Sequence, residues 1–237
     1  GLDFTAGAIL MTPPRELNAL DLALIAAANV PQIQVVRRPR VGLLSTGDEI
    51  ARVGDALCPA QIVGSSAYAL AACLEAWGCE AVDLGIAKDD ADALRSAAAK
   101  AADLDFLVTI GGASVGEHDL VRSALGESGL DLAFWKIAMR PGKPLMFGRL
   151  GKTPMLGLPG NPVSALVCAL LFLKPAAYRL GGRVWTGHRI ASARLGRDLP
   201  ANDMREDYLR ATLAHDAGGA VATPSPIQDS SMLSVLA

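Results

Sequence analysis

The stretch DFLVTIGGASVGEHDL, residues 105–120, indicates how the main part of the chain folds. Its first six residues are mostly apolar, two glycines end the run, and a polar segment then leads into a helical pattern. A short apolar run that stops at glycine predicts a buried strand followed by a tight turn. Similar strand–helix units precede it at residues 41–78 and 79–102. Alternating strands and helices predict an α/β domain with a mainly parallel sheet.

The chain is expected to divide into three parts. Residues 1–38 form a helical segment, over 14–30, and a basic linker; residues 39–182 form the α/β domain. Residues 183–237 lose the alternation and show short apolar runs separated by Gly, Pro, Asn and Asp, which predicts a small β-rich module. Further strands are expected at 132–139, 143–150, 154–159, 183–195, 206–215, 218–226 and 231–236, and a long apolar helix, buried on most faces, at 161–180.

The composition excludes several classes of protein. The 237 residues are 51% apolar and 19% charged, which predicts a sizeable core and argues against disorder. The net charge of −2 argues against non-specific nucleic-acid binding. Because no run approaches 18 uncharged apolar residues and the first residues lack a basic and a long apolar region, neither a membrane span nor a signal peptide is predicted. Without a C-x-x-C motif, the four cysteines are expected to be buried thiols of a cytoplasmic protein, not zinc ligands.

Residues 112–116, GASVG, fit the G-x-S-x-G pattern of a serine hydrolase and offer one interpretation of the glycine-rich loop. Ser114 would then need an acid and a histidine downstream. Asp198, Asp203 or Asp207 followed by His215 has that order, but all of these residues lie beyond the α/β pattern. No HGGG-type oxyanion motif is present either. A nucleophilic Ser114 is therefore the less favoured interpretation.

An anion-binding loop is the alternative interpretation of the same residues. Ligands of open α/β sheets bind at the carboxyl ends of the strands, and missing side chains let backbone N–H groups approach an anion. The residues expected to form this seat are Gly111, Gly112, Ser114 and Gly116.

Carboxylates follow three successive predicted strands and are candidates for one shared cleft. They are Asp48 and Glu49 after the first strand, Asp89 and Asp90 after the second, and Glu117 and Asp119 after the third. Because clustered carboxylates repel each other, a hard dication such as Mg²⁺ bridging to phosphate would stabilise the arrangement. Helix capping is the competing interpretation and is favoured for Asp90.

The segment WKIAMRPGKP, residues 135–144, contributes Lys136, Arg140 and Lys143. Along a strand, Lys136 and Arg140 would share one face because they are four residues apart. Three cations near a phosphate loop fit a polyanionic ligand. Further on, GLPGNPVSA, residues 157–165, places Pro159 and Pro162 before the long helix, with Asn161 as its predicted cap and its N-terminus as a second anion site.

Taken in order, STGDEI (45–50), TIGGASVGEHD (109–119), WKIAMRPGKP and GLPGNPVSA resemble the molybdopterin molybdenumtransferases, the family that includes the gephyrin E-domain. The resemblance extends from DFTAGA near the start to IQDSS near the end. It implies a three-layer molybdopterin-binding α/β domain followed by a small barrel-like β module. It also implies the chemistry: molybdenum from molybdate enters adenylylated molybdopterin, a divalent cation assists, and AMP leaves.

The resemblance further implies roles for particular residues. Catalytic roles fall to Glu49, Asp89, Asp119, Lys136 and Arg140, and metal binding to Asp3, Glu49 and Asp119. The pocket would be shaped or contacted by Lys143, Pro159, Pro162, Arg210 and Ser230, together with the glycine-rich loop.

Two departures from the family pattern affect these expectations. Arg140 stands where the family commonly has lysine, so a planar fork replaces a point charge. Family members also have a long portion before DFTAGA that is not among these 237 residues, so residues 1–38 are expected to be a remnant of that N-terminal domain and a linker. The resemblance implies a homodimer as the working form. Apo-molybdoenzymes and the molybdopterin adenylyltransferase are expected partners. A molybdopterin adenylyltransferase-like enzyme and a non-catalytic scaffold fragment remain the alternative functions.

Overall fold

The computed structural model describes residues 3–112 and 118–236. The predictions on Ser114 and Gly116 lie outside the described residues, as do those on Glu117 and on the side chain of Asp119. In the domain that contains the cleft, the strands are β1 (Arg40–Thr46), β2 (Ile50–Ala51), β3 (Ile62–Val63), β4 (Glu80–Ala87), β5 (Phe106–Ile110), β6 (Leu130–Trp135), β7 (Met139–Arg140), β8 (Met146–Leu150) and β9 (Thr153–Leu158). The helices are α1 (Ala19–Ala27), α2 (Ser65–Ala76), α3 (Ala91–Ala99), α4 (His118–Gly126) and α5 (Pro162–Leu180).

Six strands form the central sheet, in the order β4-β1-β5-β9-β8-β6. β4, β1, β5 and β9 are parallel, whereas β8 runs antiparallel to both β9 and β6. Leu43 and Phe106 pack with α2 and α5 on one face, and Leu107 and Met155 pack with α3 and α4 on the other. The three-layer α/β architecture with a mainly parallel sheet is therefore confirmed.

The C-terminal part is β-rich, as predicted, although some of its strands differ from the expectation. β10 (Arg194–Leu195), β13 (Gly219–Pro224) and β12 (Ala211–Asp216) form a three-stranded sheet in that order. β11 (Glu206–Asp207) leaves this module and pairs with β7 of the α/β domain. The strand expected over 231–236 is wrong, because Leu233–Val235 form a turn of 3-10 helix. The domain boundaries 38/39 and 182/183 stay predictions.

Helix capping changes two of the predicted helix starts. α1 begins at Ala19 and not at Pro14, because the Asn18 side chain accepts hydrogen bonds from the N–H groups of Leu20 and Asp21. α2 has Gly64 at its N-cap, without a side-chain hydrogen bond, so the predicted serine cap is wrong. The prediction for Asp90 is confirmed: its carboxylate accepts from the N–H of Ala93 and caps α3.

The first turn of α5 is buried on most of its circumference, as expected, because the consecutive residues Val163, Ser164 and Ala165 are all buried, whereas the helix is partly exposed further along. Ala165, Cys168 and Leu173 pack into the core, while Leu170 and Phe172 are exposed. By length and composition alone, this 19-residue helix could cross a membrane, which the sequence pattern did not predict. Its middle, Ala169–Leu173, is a π-helix just before Pro175, which has no N–H to donate to the preceding turn.

The cysteines are only partly as expected. All four are free, and Cys79 and Cys168 are buried. Burial raises the pKa of the Cys168 thiol to about 12. Cys58, by contrast, is exposed on the segment between β2 and β3, so the expectation of uniformly buried thiols is wrong.

Candidate binding cleft at the strand ends

A cleft of about 1040 Å³ lies at the carboxyl ends of the parallel strands. Thr46 ends β1, Gly111 and Gly112 follow β5, and Pro159 follows β9; all four line the cleft. The opposite wall comes from the C-terminal part, with Tyr208 among its residues. The cleft therefore occupies the edge where open α/β sheets bind their ligands, covered by the β-rich module.

The two glycines after β5 are required by close contacts. Gly111 has a φ of +94°, and a Cβ on it would lie 2.5 Å from the carbonyl oxygen of Thr46. Gly112 has a φ of +62°, and its Cβ would lie 2.6 Å from a methyl group of Val121. The Gly111 N–H donates to the Leu158 carbonyl at 3.1 Å, so the loop is tied to the end of β9. Only glycine fits this turn without strain.

The N-terminus of α5 is held by the C-terminal module. Asn161 is the N-cap residue of α5 and Pro162 is its first residue, as predicted, but the Asn161 side chain makes no cap hydrogen bond. Its amide donates instead to the Ser230 hydroxyl at 2.9 Å, and the Val163 N–H donates to the Ser230 carbonyl at 3.0 Å. Ser230, named from the resemblance, thus joins the two domains at one end of the cleft.

A second contact between the domains lies at the rim, where β7 and β11 run parallel. Arg140 donates from Nε to Asp207 Oδ1 at 2.9 Å and from Nη2 to Oδ2 at 3.2 Å. The Tyr208 N–H donates to the Arg140 carbonyl at 2.7 Å. Asp203 lies 3.5 Å from Arg140, and hydrogen bonds from Arg205 hold the pKa of Asp203 near 2. Arg140 is therefore an ion-paired rim residue, and its fork suits the bidentate contact that a lysine could not make.

The structure brings several of the predicted site residues to this cleft. They are Glu49, Gly111, Gly112, Arg140, Lys143, Pro159, Pro162 and Ser230. The side chain of Lys143 has no hydrogen bond or ion pair with any described residue, which distinguishes it from Arg140. Lys143 is thus a cation in the cleft that remains available to a ligand.

Other predicted residues lie outside the cleft lining. Lys136 does not share a strand face with Arg140: its φ of +69° ends the strand, and its Nζ lies 3.8 Å from the centre of the Trp135 ring. The backbone N–H of Asp89 donates to Asp48, away from the cleft wall. Arg210 donates from Nε to Oε1 of Gln228 at 3.4 Å, and Gln228, unlike Arg210, lines the cleft. For these residues, catalytic roles stay predictions.

The described residues do not supply a magnesium site. Of the three predicted ligands, Glu49 lines the cleft and Asp3 does not, while the side chain of Asp119 is not described. Among residues 3–112 and 118–236, no three Asp, Glu, His or Cys side chains come together as metal ligands.

The hydrolase interpretation gains no support from the geometry. His215 lies on β12 and is exposed, and it does not line the cleft. Asp207 does line the cleft, but its carboxylate is bound by Arg140.

Sequence reasoning missed a set of buried hydroxyl side chains at the floor of the cleft. They are Ser45, Thr46, Ser66 and Ser164, each at most 7% exposed. The signal for Ser66 was present, but it was interpreted as a helix cap. Tyr208 and Gln228 were missed because nothing local indicates that the C-terminal module folds back over the strand ends.

The fold and cleft define a class: α/β proteins with a ligand cleft at the strand ends, here closed by an added β module. Residues 42–179 match the family model described as "Probable molybdopterin binding domain", and residues 192–237 match "MoeA C-terminal region (domain IV)". The first match covers more than half of the chain. The chain therefore belongs to the molybdopterin-binding domain family.

Individual relatives agree with this assignment. The chain is 38% identical over 229 residues to a molybdopterin molybdenumtransferase of a Nostoc species, covering 91% of the chain and 52% of that relative. It is 33% identical to the Bacillus subtilis molybdopterin molybdenumtransferase, covering 100% of the chain and 55% of that relative. A crystal structure of a MoeA protein from Pyrococcus horikoshii aligns with a TM-score of 0.75 at 31% identity, covering 89% of the chain and 51% of that protein. The chain spans about half the length of the relatives it matches.

Proposed function

We propose that this chain carries the molybdopterin-binding cleft of a molybdopterin molybdenumtransferase. In this role it inserts molybdenum from molybdate into adenylylated molybdopterin, and AMP is released. The observation that carries the proposal is the cleft itself, with glycine backbone and Lys143 on one wall and Ser230 on the other. The match of residues 192–237 to the MoeA C-terminal region favours this function over the adenylyltransferase alternative.

Roles in this reaction can be assigned to the residues of the cleft. The ammonium of Lys143 and the N–H groups near Gly111 and Gly112 would hold phosphate oxygens of the substrate. The Arg140–Asp207 pair would keep the C-terminal module against the rim, so that water has less access to the bound substrate. Two further elements of the proposal come from the resemblance alone: a homodimer as the working form, and apo-molybdoenzymes as partners. The proposed cytoplasmic location follows from the cysteine pattern.

Magnesium is proposed only as an assisting ion with Glu49 and Asp119 as candidate ligands. When bound, such an ion would neutralise phosphate charge. The residues described above act without it: they bind the substrate and orient its phosphate groups.

The proposal predicts that the 237-residue chain binds adenylylated molybdopterin and releases AMP only when molybdate is present. Turnover is expected to be lower than that of the full-length Bacillus subtilis relative, because that protein is almost twice as long and its remaining portion is absent from the assay. Chromatography of the nucleotides, with sulfate replacing molybdate as the control, measures this. ATP consumption with molybdopterin, without AMP release, would instead support the adenylyltransferase alternative. Absence of binding to adenylylated molybdopterin would contradict the proposal.

A further inference from the structure

A groove between strand β4 and helix α3 shares no lining residue with the cleft. Its volume is about 430 Å³, and residues 84–88 of the chain form one of its walls. The other wall is α3, through Ala93, Ser96 and Ala97, which share one face of the helix because they are three and four residues apart. These side chains are short, so the helix leaves open space along the strand.

The strand beside this groove is an edge of the central sheet. In the described part of the chain, β4 pairs with β1 and with no other strand. The backbone N–H and C=O groups of β4 that point away from β1 therefore have no strand to pair with. At Gly85 the N–H donates to the Asp83 side chain at 2.8 Å instead of to a strand. The outer side of β4 is thus open to an added strand.

The groove is positively charged. Its lining, among the residues that the structure describes, contains the cations Arg52, Lys88 and Lys100 and no carboxylate. The side chains of Lys88 and Lys100 make no hydrogen bond or ion pair with a described residue. Arg52 lies 3.2 Å from Asp83, but both side chains are more than half exposed, and such a pair contributes little. A carboxylate from a ligand can therefore meet all three cations.

The carboxylates near the groove do not cancel this charge. Asp90 caps α3, and Asp92 is held by Arg95. Asp89 and Asp103 are not in an ion pair with a described residue, but neither of them lines the groove. The excess of positive charge along the groove therefore favours an acidic ligand.

An acidic peptide in extended conformation fits both the open strand and the charge. When a peptide adds to a sheet edge, its backbone hydrogen bonds provide affinity and its alternate side chains provide specificity. The wall of residues 84–88 extends about 13 Å at roughly 3.3 Å per residue, which suits an added segment of about four or five residues. A second copy of this chain is a poorer occupant, because its own edge carries the same cations and would be repelled.

We propose that β4 accepts an acidic, extended segment of a partner protein as a seventh strand of the central sheet. Carboxylates of that segment contact Lys88 and Lys100, and Arg52 exchanges Asp83 for a carboxylate of the partner. This interaction surface goes beyond the proposed function and does not depend on it, because the groove and the cleft are separate.

The test is fluorescence anisotropy of a labelled, end-capped octapeptide of alternating Val and Glu, titrated with the 237-residue chain at low salt. The peptide is expected to bind, and its counterpart of alternating Val and Lys is not. Lys88→Glu and Lys100→Glu should each weaken binding about fivefold or more, because each replaces an attraction by a repulsion. Both lysines are exposed, so these variants are expected to stay folded. Arg189→Glu is the matched control, since it makes the same charge change at an exposed residue outside the groove.

Two N-methylated forms of the acidic peptide distinguish strand addition from attraction between charges alone. In a strand, the N–H groups of alternate residues point to the same edge. Methylating all the Val nitrogens, or all the Glu nitrogens, therefore blocks one edge of the peptide at a time. One form should lose about tenfold or more in affinity, because its hydrogen bonds to β4 are removed, and the other should stay within about threefold of the parent peptide.

Several results would overturn the proposal. They are no binding of the acidic peptide at low salt, losses in Lys88→Glu and Lys100→Glu no larger than in Arg189→Glu, and equal affinity of the two N-methylated forms. An oligothymidylate of eight nucleotides that binds as tightly as the acidic peptide would also overturn it, because the groove would then bind polyanions in general. Failure of the proposed function is separable, because adenylylated molybdopterin takes no part in this assay.

Discussion

Gly111→Ala is expected to be the most damaging single substitution in the cleft. The backbone at Gly111 has a φ of +94°, and the new Cβ would lie 2.5 Å from the Thr46 carbonyl oxygen. A residue forced into such a conformation costs about 1–3 kcal/mol before any clash is counted. Because the contacted atom is backbone, it cannot rotate away, and we expect a total loss of at least about 3 kcal/mol in the free energy of unfolding. Urea unfolding measures this loss.

Gly129→Ala is the matched control for that substitution. Gly129 has a φ of +88°, but a Cβ on it would have no heavy atom within 4 Å. The Gly129→Ala variant should therefore lose only the free energy of backbone strain, about 1–3 kcal/mol of folding stability. If the two variants unfold at the same urea concentration, the predicted clash between a Cβ at position 111 and the Thr46 carbonyl at the end of β1 is contradicted.

Lys143→Ala is expected to cause the largest loss of ligand affinity among the lysines of residues 136–143. Lys143 lines the cleft and has no partner in the described part of the chain. A hydrogen bond to a charged group contributes about 1.5–3 kcal/mol, which corresponds to about a 10- to 100-fold change in the dissociation constant. Calorimetry with adenylylated molybdopterin measures this change. The difference from the parent should shrink as salt is raised, because the contact is partly exposed.

Lys136→Ala provides the comparison, because both lysines lie in the same short segment. Lys136 stacks on Trp135 outside the cleft lining, so its removal should change affinity less than about twofold and cost about 0.5–1 kcal/mol of stability at an exposed site. The sequence alone expected both lysines to serve the site, Lys136 in a catalytic role and Lys143 as a pocket residue. A tenfold loss in Lys136→Ala, with Lys143→Ala close to the parent, would show that the cleft residues are wrongly identified.

The layers of the fold could be predicted because they follow from local patterns. Short apolar runs such as residues 106–110 stop at glycines, and the helices between them have regular apolar spacing. A strand buried on both faces has few other ways to satisfy its backbone groups than a sheet covered by helices on both sides. The glycine turn after β5 was predictable for the same reason, since a strand that must reverse into a helix within a few residues needs positive φ values.

The cation cluster could not be predicted correctly, because one residue departs from its usual conformation. A lysine with positive φ is uncommon, so residues 132–139 were interpreted as a single strand. The structure ends that strand at Trp135, and Lys136 at a φ of +69° turns away from the face of Arg140. The partner of Arg140, Asp207, is 67 residues further along the chain, and no local pattern indicates that contact.

The side-chain caps of α2 and α5 were predicted wrongly, although α5 begins at Pro162 as expected, because tertiary contacts compete with local hydrogen bonds for the same side chains. Serine and asparagine at a helix start usually cap it, so Ser66 and Asn161 were expected to bond their own helices. In the structure Asn161 bonds Ser230 of the other domain, and Ser66 faces the cleft. The tertiary fold therefore determines the orientation of these side chains, for which the sequence alone predicts local hydrogen bonds.

The central claim is that the substrate binds between the strand ends and the C-terminal module. Hydrogen–deuterium exchange of the chain, with and without adenylylated molybdopterin, tests it most directly. We predict slower exchange in the bound state at residues 110–112, 139–145, 159–166, 206–210 and 228–232, because these segments line the cleft or hold the module over it. A second, shallower groove lies between β4 and α3 and carries Arg52, Lys88 and Lys100. Protection confined to that groove, with the cleft segments unchanged, would contradict the account.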